Sequence, residues 1–156
     1  MISDLLSSQT IRLQIPVKNW REAVLTSGNL LVKAGKCTQN YVDAMCQVIQ
    51  EKGAYMVIAP GLALTHARPE DGALDLGMSI VSLSTPVNFG SEANDPVKLI
   101  IAFCSVDRTS HLKTLKTLAC FLMDEENQIL LKSSHSVDEI LTTFQQTDME
   151  TIKCQQ

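Results

Sequence analysis

Three histidines carry the least generic chemistry in this 156-residue chain. His135 lies in KSSHSVDE, a polar run ahead of a helix, and reads as a solvated surface residue. His66 lies in PGLALTHARPEDG, Pro60 to Gly72, where the chain turns from apolar to polar. His111 follows Thr109 and Ser110, which are expected to cap a helix starting there. Both follow strand-like apolar runs, ending at Ala59 and Ser105, and ligand crevices in α/β sheets form beyond the C-terminal ends of strands. Two histidines at one sheet edge can hold a metal, act as an acid–base pair, or work as a nucleophile with an assistant. Metal binding lacks its usual spacings, because no HxxxH, HxH or CxxC occurs. Acid–base work has no GxSxG or Walker motif beside it. A neutral imidazole can also attack phosphorus and hold the group as a labile P–N bond. The dipole and free N–H groups of a helix start would favour an anion near His111 and lower that residue's pKa. Residue types and spacing leave all of these open, beside the reading of two ordinary loop histidines.

The surrounding elements alternate. IRLQIPV, Ile11 to Val17, alternates apolar and polar residues as a strand does. A helix follows, with Asn19 and Glu22 at its start, Trp20, Ala23, Val24, Ser27, Leu31 and Ala34 on one face, and Gly35 at its end. A second helix starts at Thr38, buries Tyr41, Met45, Val48 and Ile49, and closes at Gly53. Ala54 to Ala59 and Gly77 to Ser84 read as strands. Val97 to Ser105, apolar on both faces, reads as the central one. Leu112, Leu115, Leu118, Ala119 and Leu122 space out a third helix. Ser136 and Glu139 open a fourth with a capping-box pattern. The alternation predicts an α/β fold: a single-domain three-layer sandwich over residues 1–156, its mixed, mostly parallel sheet flanked by helices on both faces.

Composition is that of an ordinary water-soluble chain, with 45% hydrophobic and 19% charged residues. A net charge of -4 argues against nucleic acid as the main partner. The N-terminus lacks the basic start and apolar run of a signal peptide, and no stretch approaches a bilayer span. The five scattered cysteines read as reduced thiols, so a cytoplasmic location is expected.

The stretch GAYMVIAPGLALTHARPEDGA resembles the active-site segment of EIIA proteins of the phosphoenolpyruvate-dependent sugar phosphotransferase system, fructose–mannitol class (EIIA type-2). That family carries a pattern G-[IL]-A-[IL]-P-H-[AG], matched here by Gly61, Leu62, Ala63, Leu64, His66 and Ala67. DRTSHLKTLKTLACFL is similar to its second histidine segment, and NWREAV, YVDAM, APGLAL, HARPEDGA, PVNFG and NDPVKLI lean toward the ascorbate-type branch. The resemblance implies that His66 accepts a phosphoryl group from HPr and passes it to a cysteine of EIIB, for sugar uptake through the membrane component EIIC. It implies that His111 stabilises the phosphoryl group, with Arg68 as a possible clamp or else a partner of Glu70 or Asp71. No cofactor and no metal are expected. Leu62, Leu64 and residues after Gly90 are expected to flank His66 in docking, and EIIB is expected to be a separate protein. One departure stands out: Thr65 occupies the place of the family's proline, where its hydroxyl is a candidate phosphate ligand. The rivals are a regulatory EIIA-like protein that reports phosphorylation state, and a non-catalytic α/β binding domain.

Overall fold

A computed structural model describes residues 1–154, with side chains described through residue 150. Among the described residues five strands form one sheet in the order β1-β4-β5-β3-β2. They are β1 (Ile11–Ile15), β2 (Val57–Ala59), β3 (Leu62–Thr65), β4 (Gly77–Val87) and β5 (Val97–Cys104). The helices are α1 (Trp20–Lys33), α2 (Gln39–Lys52), α3 (Arg108–Leu122), α4 (Glu125–Ser133) and α5 (Val137–Cys154).

Alternation along β5 builds the layers. Leu99, Ile101 and Phe103 point to one face, with Leu118, Phe121, Leu131, Ile140 and Phe144 from α3, α4 and α5. Ile100, Ala102 and Cys104 point to the other, with Val24 and Leu31 of α1 and Tyr41, Met45 and Ile49 of α2. Seven of the eight β5 residues are buried, as expected of a strand covered on both sides. The result is the expected three-layer α/β sandwich.

The sheet is mixed, but parallel pairs do not predominate. β1–β4 and β3–β5 are parallel, whereas β4–β5 and β2–β3 are antiparallel. The reason is connection length. Pro60 and Gly61 alone join β2 to β3, with Gly61 at φ 72°, and a two-residue link permits only a hairpin. Tyr55, expected in a buried strand, is exposed, and β2 is a three-residue edge strand.

The helix starts follow their local chemistry. Asn19 Oδ1 accepts the Glu22 N–H at 2.9 Å, while the Glu22 carboxylate accepts the Lys18 N–H at 3.0 Å. α3 is capped by Asp107, not by Thr109 or Ser110: its Oδ1 accepts the Ser110 N–H at 2.7 Å. α4 was not expected from the sequence; it is capped by Asp124 and buries only Leu131. At α5 half of the capping box forms. Ser136 Oγ accepts the Glu139 N–H, but the Glu139 carboxylate accepts the Ser134 hydroxyl instead of returning to Ser136.

Cys37, Cys46 and Cys104 are buried free thiols and Cys120 is an exposed one; Cys154 lies outside the described side chains. Among the described residues no helix is long and apolar enough to cross a membrane.

Candidate active site

His66 follows β3 directly, because four residues of the presumed loop form that strand. β3 runs parallel to β5 with Thr65 opposite Ala102, so both strands end at one edge of the sheet. His111 stands in the first turn of α3, the helix that leaves β5. Alternation puts His66 on the face of Leu62 and Leu64, which is the face that α3 covers. The two imidazole centroids lie 6.1 Å apart with their planes at 60°. Tyr55 stands edge-on to His66 at 6.3 Å, and Phe103 edge-on to His111 at 5.0 Å. His135 is exposed beyond α4, whose Lys132 Nζ bonds Pro60 O at the opposite end of β3. The fold therefore unites His66 and His111 and leaves His135 apart.

One contact sorts the nitrogens of His66. Its Nδ1 lies 3.3 Å from the carbonyl oxygen of Leu64. A carbonyl only accepts, so this contact assigns the proton to Nδ1 and the lone pair to Nε2. The imidazole of His111 is held below its ordinary value, first by partial burial and then by His66 beside it. Burial is the leading cause, and Asp107 takes one of the N–H groups at the helix start.

That shift has a consequence for stability. The unfolded chain binds a proton at an ordinary histidine pKa of 6.5, whereas folded His111 resists it. Stability is therefore fully present above that value and is lost as pH falls through it toward the folded pKa. The drop in urea midpoint between about pH 7.5 and about pH 5.5 should be smaller in His111→Gln than in the wild type. Equal drops would show that His111 does not contribute.

Thr65 is turned into the core, away from solvent. It shares the face of Ala63, is 0% exposed, and its Oγ1 is buried with no hydrogen-bond partner. Its backbone N–H makes a ladder bond that a proline there could not. Leu99 N–H bonds Gly61 O at 3.0 Å, and this register carries the Thr65 N–H to Ile101 O. An orphaned buried hydroxyl costs stability, so Thr65→Val, equal in shape, should raise unfolding free energy by about 1–2 kcal/mol. A lower urea midpoint in that variant would reveal a partner for the hydroxyl.

Arg68 is exposed and pairs with Asp71 (Nη2–Oδ1 3.4 Å) and, more loosely, with Glu70 at 3.9 Å. It borders an open groove of about 420 Å³ beside His66, lined also by Val48, Lys52, Tyr55 and Asp71. Of the residues expected to flank His66 in docking, Leu64 is partly exposed beside it, and the others lie elsewhere. Leu62 is 1% exposed, and the segment after Gly90 meets the N-terminal end of β3, where the Gly61 N–H bonds Asn94 O. The apolar side chains exposed at the histidine end are Tyr55, Leu74, Val106 and Leu112. Among the described residues no cluster of three or more His, Cys, Asp or Glu is placed to hold a metal.

Sequence reading missed Tyr41. It passed for one more residue of the α2 stripe, yet its hydroxyl accepts the Ala67 N–H at 3.0 Å and donates to Phe103 O at 2.8 Å. Only the docking of α2 against the ends of β3 and β5 reveals that role.

The profile of the family "Phosphoenolpyruvate-dependent sugar phosphotransferase system, EIIA 2" matches residues 4–147, and the chain belongs to that family. It is 35% identical over 145 residues to the ascorbate-specific PTS system EIIA component of Escherichia coli strain K12, covering 92% of this chain and 94% of that one. The solution structure of the mannitol-specific cryptic phosphotransferase enzyme IIA CmtB from Escherichia coli superposes with a TM-score of 0.81 at 31% identity, covering 94% and 96% of the two chains. A complex of enzyme IIAMTL with phosphorylated enzyme IIBMTL from Escherichia coli matches with a TM-score of 0.77 at 28% identity, over 88% of this chain and 95% of that one.

Proposed function

We propose that the protein is an EIIA phosphocarrier, one domain in extent, that takes a phosphoryl group from phospho-HPr on Nε2 of His66 and hands it to a cysteine of EIIB. The observation that supports this most is His66 itself, whose Nδ1 is engaged by Leu64 O and whose ring centroid lies 6.1 Å from that of a second, neutral imidazole. In the first step the P–N bond of the donor breaks as the Nε2–P bond forms, and Nδ1 keeps its proton against Leu64 O. In the second step an EIIB thiolate displaces Nε2 from phosphorus. Phosphoryl transfer is mainly positioning and stabilisation of spread charge, which imidazole, backbone N–H groups and a guanidinium can supply. His111 donates to the phosphoryl oxygens. Arg68 exchanges Asp71 for them once a dianion arrives in the groove.

The exposed apolar set of Tyr55, Leu74, Val106 and Leu112 suits brief docking with HPr and EIIB in turn. The complex of enzyme IIAMTL with phosphorylated enzyme IIBMTL supports EIIB as the partner. EIIB then serves the membrane component EIIC, and the likeness to ascorbate-specific EIIA makes ascorbate the sugar we propose.

Incubation with phosphoenolpyruvate, Enzyme I and HPr should give an acid-labile, base-stable phosphate on the protein. An unlabelled protein would end this reading. Transfer from the labelled protein should be faster to an ascorbate-type EIIB than to a mannitol-type EIIB; the reverse order would move the sugar assignment.

A further inference from the structure

The β3–β5 ladder breaks off one rung short, and a side chain fills the gap. In a parallel pair each bonding residue of one strand is bracketed by two residues of its neighbour. Leu99 N–H bonds Gly61 O, and the register Leu62↔Leu99 to Thr65↔Ala102 makes Leu99, Ile101 and Phe103 the β5 residues whose backbone groups serve β3. Continued by two residues, the register aims the Ala67 N–H at Phe103 O. That rung is absent. The Ala67 N–H instead donates to Tyr41 Oη at 3.0 Å, and the hydroxyl donates to Phe103 O at 2.8 Å. Oη also lies 3.2 Å from Ala67 O, but a hydroxyl has one proton and Phe103 O is the nearer acceptor.

Two bonds in series hold the backbones farther apart than a single bond of about 2.9 Å would. The chain leaves β5 at this point, and the residue at the point of departure is His66. Phe103, on the other side of the wedge, supports His111 with its ring edge at 5.0 Å. Tyr41 is 1% exposed, and burial pushes its phenol above the ordinary range, so the hydroxyl stays protonated and keeps its donor role. Ala67 itself packs against the same core as Tyr41, which leaves the wedge little freedom to shift.

We infer that Tyr41 is a positioning residue for phosphoryl transfer: its hydroxyl replaces a rung of the β3–β5 ladder and so fixes the place of His66 relative to His111. This rests on the reading of His66 as phosphoryl acceptor. The hydroxyl touches neither reacting nitrogen; it acts through the peptide that follows His66.

Tyr41→Phe keeps the ring and deletes the wedge. The single-turnover rate of phosphoryl uptake from phospho-HPr should fall about 10-fold or more, because displacement by about 1 Å can cost 10²-fold. The apparent KM for phospho-HPr should stay within about twofold, since the docking surface is untouched. Phe144→Leu, in the opposite layer, serves as the control: it should lower stability and leave the rate alone. A wild-type rate in Tyr41→Phe, or an equal drop in Phe144→Leu, would overturn the inference. If Tyr41→Phe does not fold at the assay temperature, hydrogen exchange in the wild type decides. The Ala67 amide should be strongly protected, and exchange at the rate of a free peptide would overturn the wedge. A wild type that takes no label, or takes it elsewhere than His66, overturns the phosphocarrier reading and this inference together; a labelled wild type beside an equally fast Tyr41→Phe overturns this inference alone.

Discussion

His66→Ala should take up phosphoryl groups from phospho-HPr more than about 10³-fold more slowly than the wild type, as expected when a nucleophile is removed. His111 cannot stand in for it. Its ring is braced by Phe103 and rooted in α3, whereas the Nε2 of His66 is the atom left unprotonated by the Leu64 contact. Folding should be little affected, because His66 is half-buried and its ring makes one weak backbone bond. Circular dichroism would show an intact variant, and an autoradiograph would show an unlabelled one. Label retained at the wild-type rate would place the acceptor elsewhere.

His111→Ala should slow transfer by about 10²-fold while leaving His66 competent to be labelled, which is the usual cost of losing one preorganised donor at developing negative charge. The centroid separation of 6.1 Å keeps the two rings close enough for His111 to reach oxygens of a group carried by His66. In the resting protein the partly buried imidazole is neutral near pH 7, so it presents an N–H without cationic repulsion toward its neighbour. Arrival of a phosphoryl dianion reverses the balance, since an opposite charge raises a histidine's pKa and strengthens the hydrogen bond. A histidine NMR titration should therefore show His111 titrating higher in the phosphorylated protein than in the free one. Transfer rates unchanged in His111→Ala would remove its role.

Much of this was legible in the sequence, for physical reasons. β5 announces itself because a strand buried on both faces must be almost wholly apolar, and Val97 to Ser105 is apolar at every position but Lys98 and the terminal Ser105. Asn19 with Glu22 marks a helix start by local hydrogen-bonding chemistry alone. His66 and His111 were singled out because each follows a strand, though the strand before His66 was misplaced. β3 has four residues behind a two-residue hairpin, too few for a period to show, so it read as loop. α4 escaped for a similar reason, since it is short and buries a single leucine. Of the expected rim, Leu62 lies in the core because it stands one strand length before His66, whereas Leu64, two residues before it, is partly exposed. Tyr41 could not be found locally at all. Its stripe position predicts burial, and burial of the ring is what it shares with Met45 and Ile49; its hydroxyl finds Ala67 and Phe103 only through the tertiary fold. Thr65 illustrates the converse. Its hydroxyl suggested a phosphate ligand, but strand alternation turns it inward and leaves its N–H to the ladder.

The central claim is that one ring nitrogen of one histidine carries the phosphoryl group. Its most direct test is NMR of the uniformly nitrogen-15-labelled protein, phosphorylated through Enzyme I and HPr, with phosphorus coupling read at each imidazole nitrogen. A single phosphate on Nε2 of His66 is the predicted result. Phosphate on Nδ1 of His66, on His111 or on His135 would contradict it.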